Sequence, residues 1–310
     1  MAKTLVPSAS CLLPSVLLLC IFNAQQLGKI WEWFATPLQH GFMIKAVFVS
    51  ALVGIICSVL SCYMTLKGWA LMGDAVSHAV LPGVVIAYIL NIPFAIGAFV
   101  FGLGSVIAIG FIKEKTRIKE DTVIGLVFTG FFALGLILIS KTPSNIDLMH
   151  ILFGNVLGIS NSDIIQTAII GVITMVVLAL LRRDLLLFCF DPTHARSIGL
   201  NTTAIYYTLL GLLALTIVAA QQTVGIILVI AMLVTPGATA YMLSDRFDQM
   251  TLIAVISGVF SSVMGTLISY HIDASTGGCI VVLQTLLFIA AMIFAPKHGL
   301  LFNFAPFSKG

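Results

Sequence analysis

Charge is what this chain has little of. Of its 310 residues only 9% are charged and 60% are hydrophobic, whereas roughly a quarter of an average soluble domain is charged. An ordinary soluble fold of this size is thereby excluded. The net charge of +3 is small, and the Lys and Arg residues fall between apolar runs, so no basic face exists for nucleic acid. Clustered cysteine is lacking as well: Cys11, Cys20, Cys57, Cys62, Cys189 and Cys279 form no C-x-x-C pair and read as small packing residues. There is no G-x-x-x-x-G-K-[ST] loop. The nearest string, Gly68 to Gly73, runs on into Asp74 and Ala75, and a carboxylate there repels phosphate, so this chain is not expected to hydrolyse ATP. With no H-E-x-x-H helix either, neither enzymatic activity nor a permanently bound cofactor is expected.

What is present is a series of apolar runs, each long enough to cross the hydrocarbon core, which takes about 20 residues. They fall near 46–64, 68–90, 93–112, 122–140, 164–181, 203–220, 222–243, 250–270 and 278–295. Since only helices and closed barrels satisfy backbone groups in lipid, the expected fold is an all-α polytopic membrane protein, a bundle of about eight to ten transmembrane helices. The breaks at 91–93 and 221–225 are short enough that the spans flanking either could be one broken element. Residues 1–30 hold the apolar run Leu12 to Phe22, which reads either as a short extra helix or as a signal-like extension. The segment 31–45, with Trp31, Trp33 and Phe34 beside Glu32 and His40, suits the outer membrane interface. The membrane domain then covers 46–298, leaving 299–310 as a tail.

Basic residues orient the bundle, because cytoplasmic loops are enriched in Lys and Arg. Lys67, then Lys113, Lys115, Arg117 and Lys119, then Arg182, Arg183 and Arg196, then Arg246, Lys297 and Lys309 fall on alternate loops, and the opposite loops hold only Lys141. The carboxyl terminus is therefore expected in the cytoplasm.

On this map Asp74 is the one acid well inside a span, and His78 is the one deep histidine. Four residues apart on a helix, they share a face. A carboxylate at bilayer depth costs about 2.5 kcal/mol or more, a cost tolerated for an ion pathway, a relay or polar glue between helices. Pro82 offers no N–H to the His78 carbonyl, so it marks a kink or gate beside the pair, where Gly73 and Gly83 let the helix flex or let another helix approach closely. One carboxylate and one imidazole, with no thiolate near, suit manganese, zinc or ferrous iron as a transported ion. Two ligands are too few to hold an ion. A second copy of the chain across a two-fold axis would supply two more, and backbone oxygens with water are the other option.

The string Gly73-Asp74-Ala75-Val76-Ser77-His78-Ala79-Val80-Leu81-Pro82-Gly83 resembles the signature of permease subunits of manganese, zinc and iron ABC importers. The likeness runs on through Lys119-Glu120-Asp121-Thr122, Phe190-Asp191-Pro192 with Ala195 and Gly199, and Val234 to Ala240, over roughly residues 38–298. It implies a fold related to type II ABC importer permeases and a homodimer in the plasma membrane of a prokaryote. Two copies of a separate cytoplasmic ATPase and an external or periplasmic metal-binding protein are the implied partners. By the same resemblance Asp74 and His78 of both copies form a transient metal site, with manganese favoured over zinc and iron. The segment 236–250, including Pro236, Gly237, Ala238, Ser244, Asp245, Arg246 and Phe247, resembles the element that docks on the ATPase. A proton-driven metal transporter using the same pair is the alternative reading.

Overall fold

A computed structural model describes residues 32–142 and 158–295. The extension at 1–30 and the tail at 299–310 lie outside the described residues, as do His150 and His298. The chain divides into two units, residues 1–44 and 45–310. In the first, residues 32–38 are helical, Thr36 Oγ1 donates to the Glu32 carbonyl at 2.6 Å, and Trp33 meets Phe34 edge to face.

Eleven helices follow, and no strand occurs among the described residues. They are α1 (Gly41–Lys67), α2 (Met72–Leu90), α3 (Phe94–Lys115), α4 (Glu120–Lys141), α5 (Asn161–Leu180), α6 (Arg182–Phe190), α7 (Pro192–Ser197), α8 (Thr202–Val224), α9 (Ile226–Leu243), α10 (Phe247–Ile272) and α11 (Thr276–Phe294). All but α6 and α7 are long and apolar enough to span a bilayer, which makes nine spans among the described residues. Each matches one expected run, and both short breaks separate distinct helices. Asn91 closes α2 in the left-handed conformation (φ 54°), just ahead of Pro93. Gly225 alone separates α8 from α9, with φ 85° and ψ 164°, a region open in practice to glycine only.

Without a hydrophobic force between helices inside lipid, close packing and polar contacts hold a bundle together. The helix α2 packs chiefly on α3 and α4, α8 lies against α3 and α5, and α9, α10 and α11 pack on one another. At the α2–α3 crossing Gly83 faces Gly97 so closely that a β-carbon on Gly83 would lie 2.7 Å from the Gly97 carbonyl carbon and 2.9 Å from Phe101 Cβ. Gly83 thus lets the two backbones meet, the close approach that its glycine allows. Hydroxyls join other pairs, as where Thr174 of α5 meets Thr216 of α8 at 3.2 Å.

Where the basic residues gather, α6 packs Leu185, Phe188 and Cys189 into the core and α7 is exposed apart from Ala195. Asp191 caps α7, its Oδ1 accepting the N–H groups of Thr193 and His194 at 2.9 Å each, and Pro192 takes the first helical position, where its missing N–H costs nothing. Gly199 then ends the segment with φ 89°. Lys67, at the end of α1, donates to the Phe188 carbonyl at 2.9 Å and sits 3.7 Å over that ring, tying α6 to the bundle.

Candidate metal site

The turn joining α1 to α2 sets the depth of the site. Gly68 takes φ 71°, and the Trp69 N–H returns to the Met64 carbonyl at 2.9 Å. Residues 68–71 are thereby consumed in the turn, so α2 starts at Met72 and not at 68. Asp74 consequently lies in the first turn of the helix, correcting its placement well inside a span, and His78 lies one turn further in. The first turn of a helix favours a negative charge by about 0.3–1 kcal/mol, which offsets part of the cost of keeping a carboxylate there.

From Met72 to Ala87, α2 is buried except at Asp74, His78 and Ile86. Asp74 and His78 lie one turn apart on one face, with side chains 38% and 27% exposed, while Ile86 lies beyond the buried Pro82. Asp74 Oδ1 and His78 Nε2 stand 3.3 Å apart. With metal–ligand bonds near 2.1 Å, the edge of an octahedral or tetrahedral shell measures about 3.0–3.4 Å, so the two atoms are spaced as neighbouring ligands of one ion. Behind them Gly73 is buried, with Leu233 Cδ1 of α9 at 3.4 Å from where its β-carbon would be, and the Ser77 hydroxyl returns to the Gly73 carbonyl at 2.7 Å. Pro82 is a buried residue inside the helix. No group of three or more His, Cys, Asp or Glu side chains converges among the described residues, so the chain offers a pair and no cage.

One part of the surroundings carried no signal in the sequence. Phe128 and Phe132, one turn apart on α4 and stacked at 5.9 Å, both meet the His78 imidazole edge to face, at 5.3 and 5.2 Å between ring centres. The far nitrogen of His78, Nδ1, is buried without a hydrogen-bond partner among the described residues. Phenylalanine in a membrane span is ordinary, and nothing in its spacing distinguishes these two.

The seven residues expected to dock an ATPase divide into two groups. Pro236 and Gly237 are buried inside α9. The Gly237 N–H donates to Ser61 Oγ of α1 at 2.8 Å, and a β-carbon there would lie 2.6 Å from Thr65 Oγ1, so this stretch is a helix crossing and offers no outward surface. Ala238, one residue on, is only part-buried in the same helix. Beyond the helix end Asp245 and Arg246 are exposed, while Ser244 and Phe247 are half-buried. Ser244 Oγ accepts the Arg246 N–H at 3.2 Å and donates to Gln249 at 3.0 Å, shaping the turn. Phe247 packs on Tyr63 at 5.0 Å, and an Arg182–Asp248 ion pair ties the start of α6 to α10.

Residues 39–295 match the sequence model of the ABC 3 transport family. Among curated relatives, the manganese transport system membrane protein MntB of Synechocystis is 68% identical over 271 residues, covering 87% of this chain and 89% of that protein. The chelated iron transport system membrane protein YfeD of Yersinia pestis is 51% identical over 268 residues, covering 86% and 90%. Among solved structures, PsaBC from Streptococcus pneumoniae in complex with Fab matches with a TM-score of 0.77 at 39% identity, covering 87% of this chain and 97% of that one.

Proposed function

This chain belongs to the ABC 3 transport family, and from that premise we propose that it is the pore-forming permease subunit of an ATP-driven importer of divalent transition metal, manganese first, then iron or zinc. The observation that carries this reading is the open stripe of α2. A helix buried at most of its positions leaves part-exposed the acid and the imidazole, 3.3 Å apart, that could bind an ion together. The metal named for the 68% identical relative supports manganese, and a carboxylate with an imidazole suits that ion as well as ferrous iron or zinc.

Two ligands bind too weakly to trap an ion, and in this reading a second copy of the chain presents its own Asp74 and His78 across a two-fold axis. A four-ligand site with places left for water binds well enough to strip part of the hydration shell and weakly enough to release. Two separate ATPase subunits drive the cycle from the cytoplasm. Their docking surface is α6, α7 and the turn from Ser244 to Phe247, where Phe190 stands 66% exposed at the tip of α6. A metal-binding protein delivers the ion from outside. The chain resides in the plasma membrane of a prokaryote with its carboxyl terminus in the cytoplasm. Membership of an ABC family argues against the proton-driven alternative.

The test is uptake of radioactive manganese by membranes holding the permease, its ATPase and its binding protein. Asp74→Ala and His78→Ala at normal expression should each reduce uptake at least tenfold. Wild-type uptake by both variants would sink the assignment.

A further inference from the structure

His78 is held by hydrocarbon where a metal-binding histidine ordinarily has an oxygen. When one imidazole nitrogen binds a metal, the other carries a proton, and that N–H is almost always donated to a carboxylate, a carbonyl or water, which fixes the ring and makes it a stronger ligand. Here Nε2 faces Asp74 and is the nitrogen that an ion shared with that carboxylate would use. Nδ1 is sealed from solvent and has no hydrogen-bond partner among the described residues. The two phenyl rings of α4 lie 5.3 and 5.2 Å from the imidazole, both at steep angles to it (69° and 83°), and nearly parallel to each other (15°). An aromatic face is at best a weak acceptor for an N–H.

We infer that Phe128 and Phe132 are positioning residues that fix the His78 ring by shape while denying its far nitrogen an oxygen partner, so that His78 is a weakened ligand from which the metal leaves readily. The inference rests on Asp74 and His78 being the metal ligands, and it adds a cause for release within one chain. A fixed ring without a polar anchor keeps the aim of the imidazole and gives up part of its binding strength. That balance serves a site that must empty in every cycle. The clamp comes from a different helix than the ligands, so a movement of α4 relative to α2 would alter the aim of His78 directly.

The experiment adds the missing oxygen. Phe128→Gln and Phe132→Gln place a carboxamide of similar length beside the imidazole, Phe128→Tyr and Phe132→Tyr add a hydroxyl while keeping the ring, and Phe128→Leu and Phe132→Leu are controls without oxygen. Equilibrium binding of radioactive manganese to the full-length chain in membranes with its partners is measured, together with single-turnover release. Outer partners of this kind change metal affinity about 10–100-fold. At least one oxygen-bearing variant should therefore bind manganese about tenfold tighter than wild type and release it more slowly, with the leucine variants tightening binding by no more than about twofold. Unchanged affinity in every glutamine and tyrosine variant that assembles would overturn the inference, as would leucine variants that tighten binding equally. If instead Asp74→Ala and His78→Ala bind manganese like wild type, the assignment of the ligands falls and the clamp falls with it. Defective Asp74→Ala and His78→Ala variants beside unchanged oxygen-bearing ones would remove the clamp alone.

Discussion

At single residues, chemistry here is decided by what surrounds a polar atom. Asp74 and His78 stood out in the sequence because an acid and a histidine one turn apart are rare in an apolar run, and rarity is visible in one chain. Their depth was not visible, because it depends on Gly68 accepting a positive φ and spending four residues in a turn. The phenylalanine clamp was not visible either, since apolar residues in a membrane helix look alike until packing sorts them. Cys189 shows the same dependence on surroundings outside the spans. Burial at the end of α6 pushes its thiol from the ordinary 9.0 up to about 11, and nearby Lys67 only partly opposes this. Because the thiolate is the reactive form, the iodoacetamide alkylation rate of Cys189 should keep rising about tenfold per pH unit to near pH 11. Mass spectrometry of the labelled peptide checks this, and a plateau near pH 9 would contradict it.

Among the elements, the nine spans were legible because a bilayer demands long apolar runs and tolerates little else. Their ends were less so. The run expected at 222–243 begins at Ile226, since Gln221 to Val224 complete α8 before the chain breaks at Gly225. With φ 85° and ψ 164°, that single residue breaks the helical course between two spans. Gly225→Ala should cost about 1–3 kcal/mol, seen as a lower thermal midpoint of the purified protein, and an unchanged midpoint would show that the break tolerates a side chain. Pro236 and Gly237 continue α9 without ending it. Proline and glycine together usually signal a turn, but in a membrane helix neighbouring hydroxyls can take up freed backbone groups. Ser61 of α1 bonds to the backbone beside the proline, donating to the Val234 carbonyl at 3.2 Å and accepting the Gly237 N–H. The short helix α7 carries a signature legible in the sequence, an Asp-Pro cap and a closing glycine.

For the whole molecule, the open stripe of α2 makes a prediction about assembly. If Asp74 and His78 face a second copy, Ile86, the next position of α2 left part-exposed, is expected near that contact. In a chain whose native cysteines are replaced, Ile86→Cys should form an intermolecular disulfide in membranes under mild oxidation, read as a dimer band that a reductant removes. A cysteine at Leu180, which is 79% exposed on α5, is the comparison. Equal cross-linking at both positions would argue that α2 does not line the contact.

The pair without a cage has one more consequence, for how cells handle surplus subunits. If Asp74 and His78 are the ligands, a single chain, with no third such group converging on them among the described residues, holds a metal ion only weakly. Copies made in excess, or inserted ahead of their partners, would therefore neither drain the cell's metal pool nor open a leak. Binding competence would arise only on completed assembly, so the stoichiometry of expression could drift without toxicity.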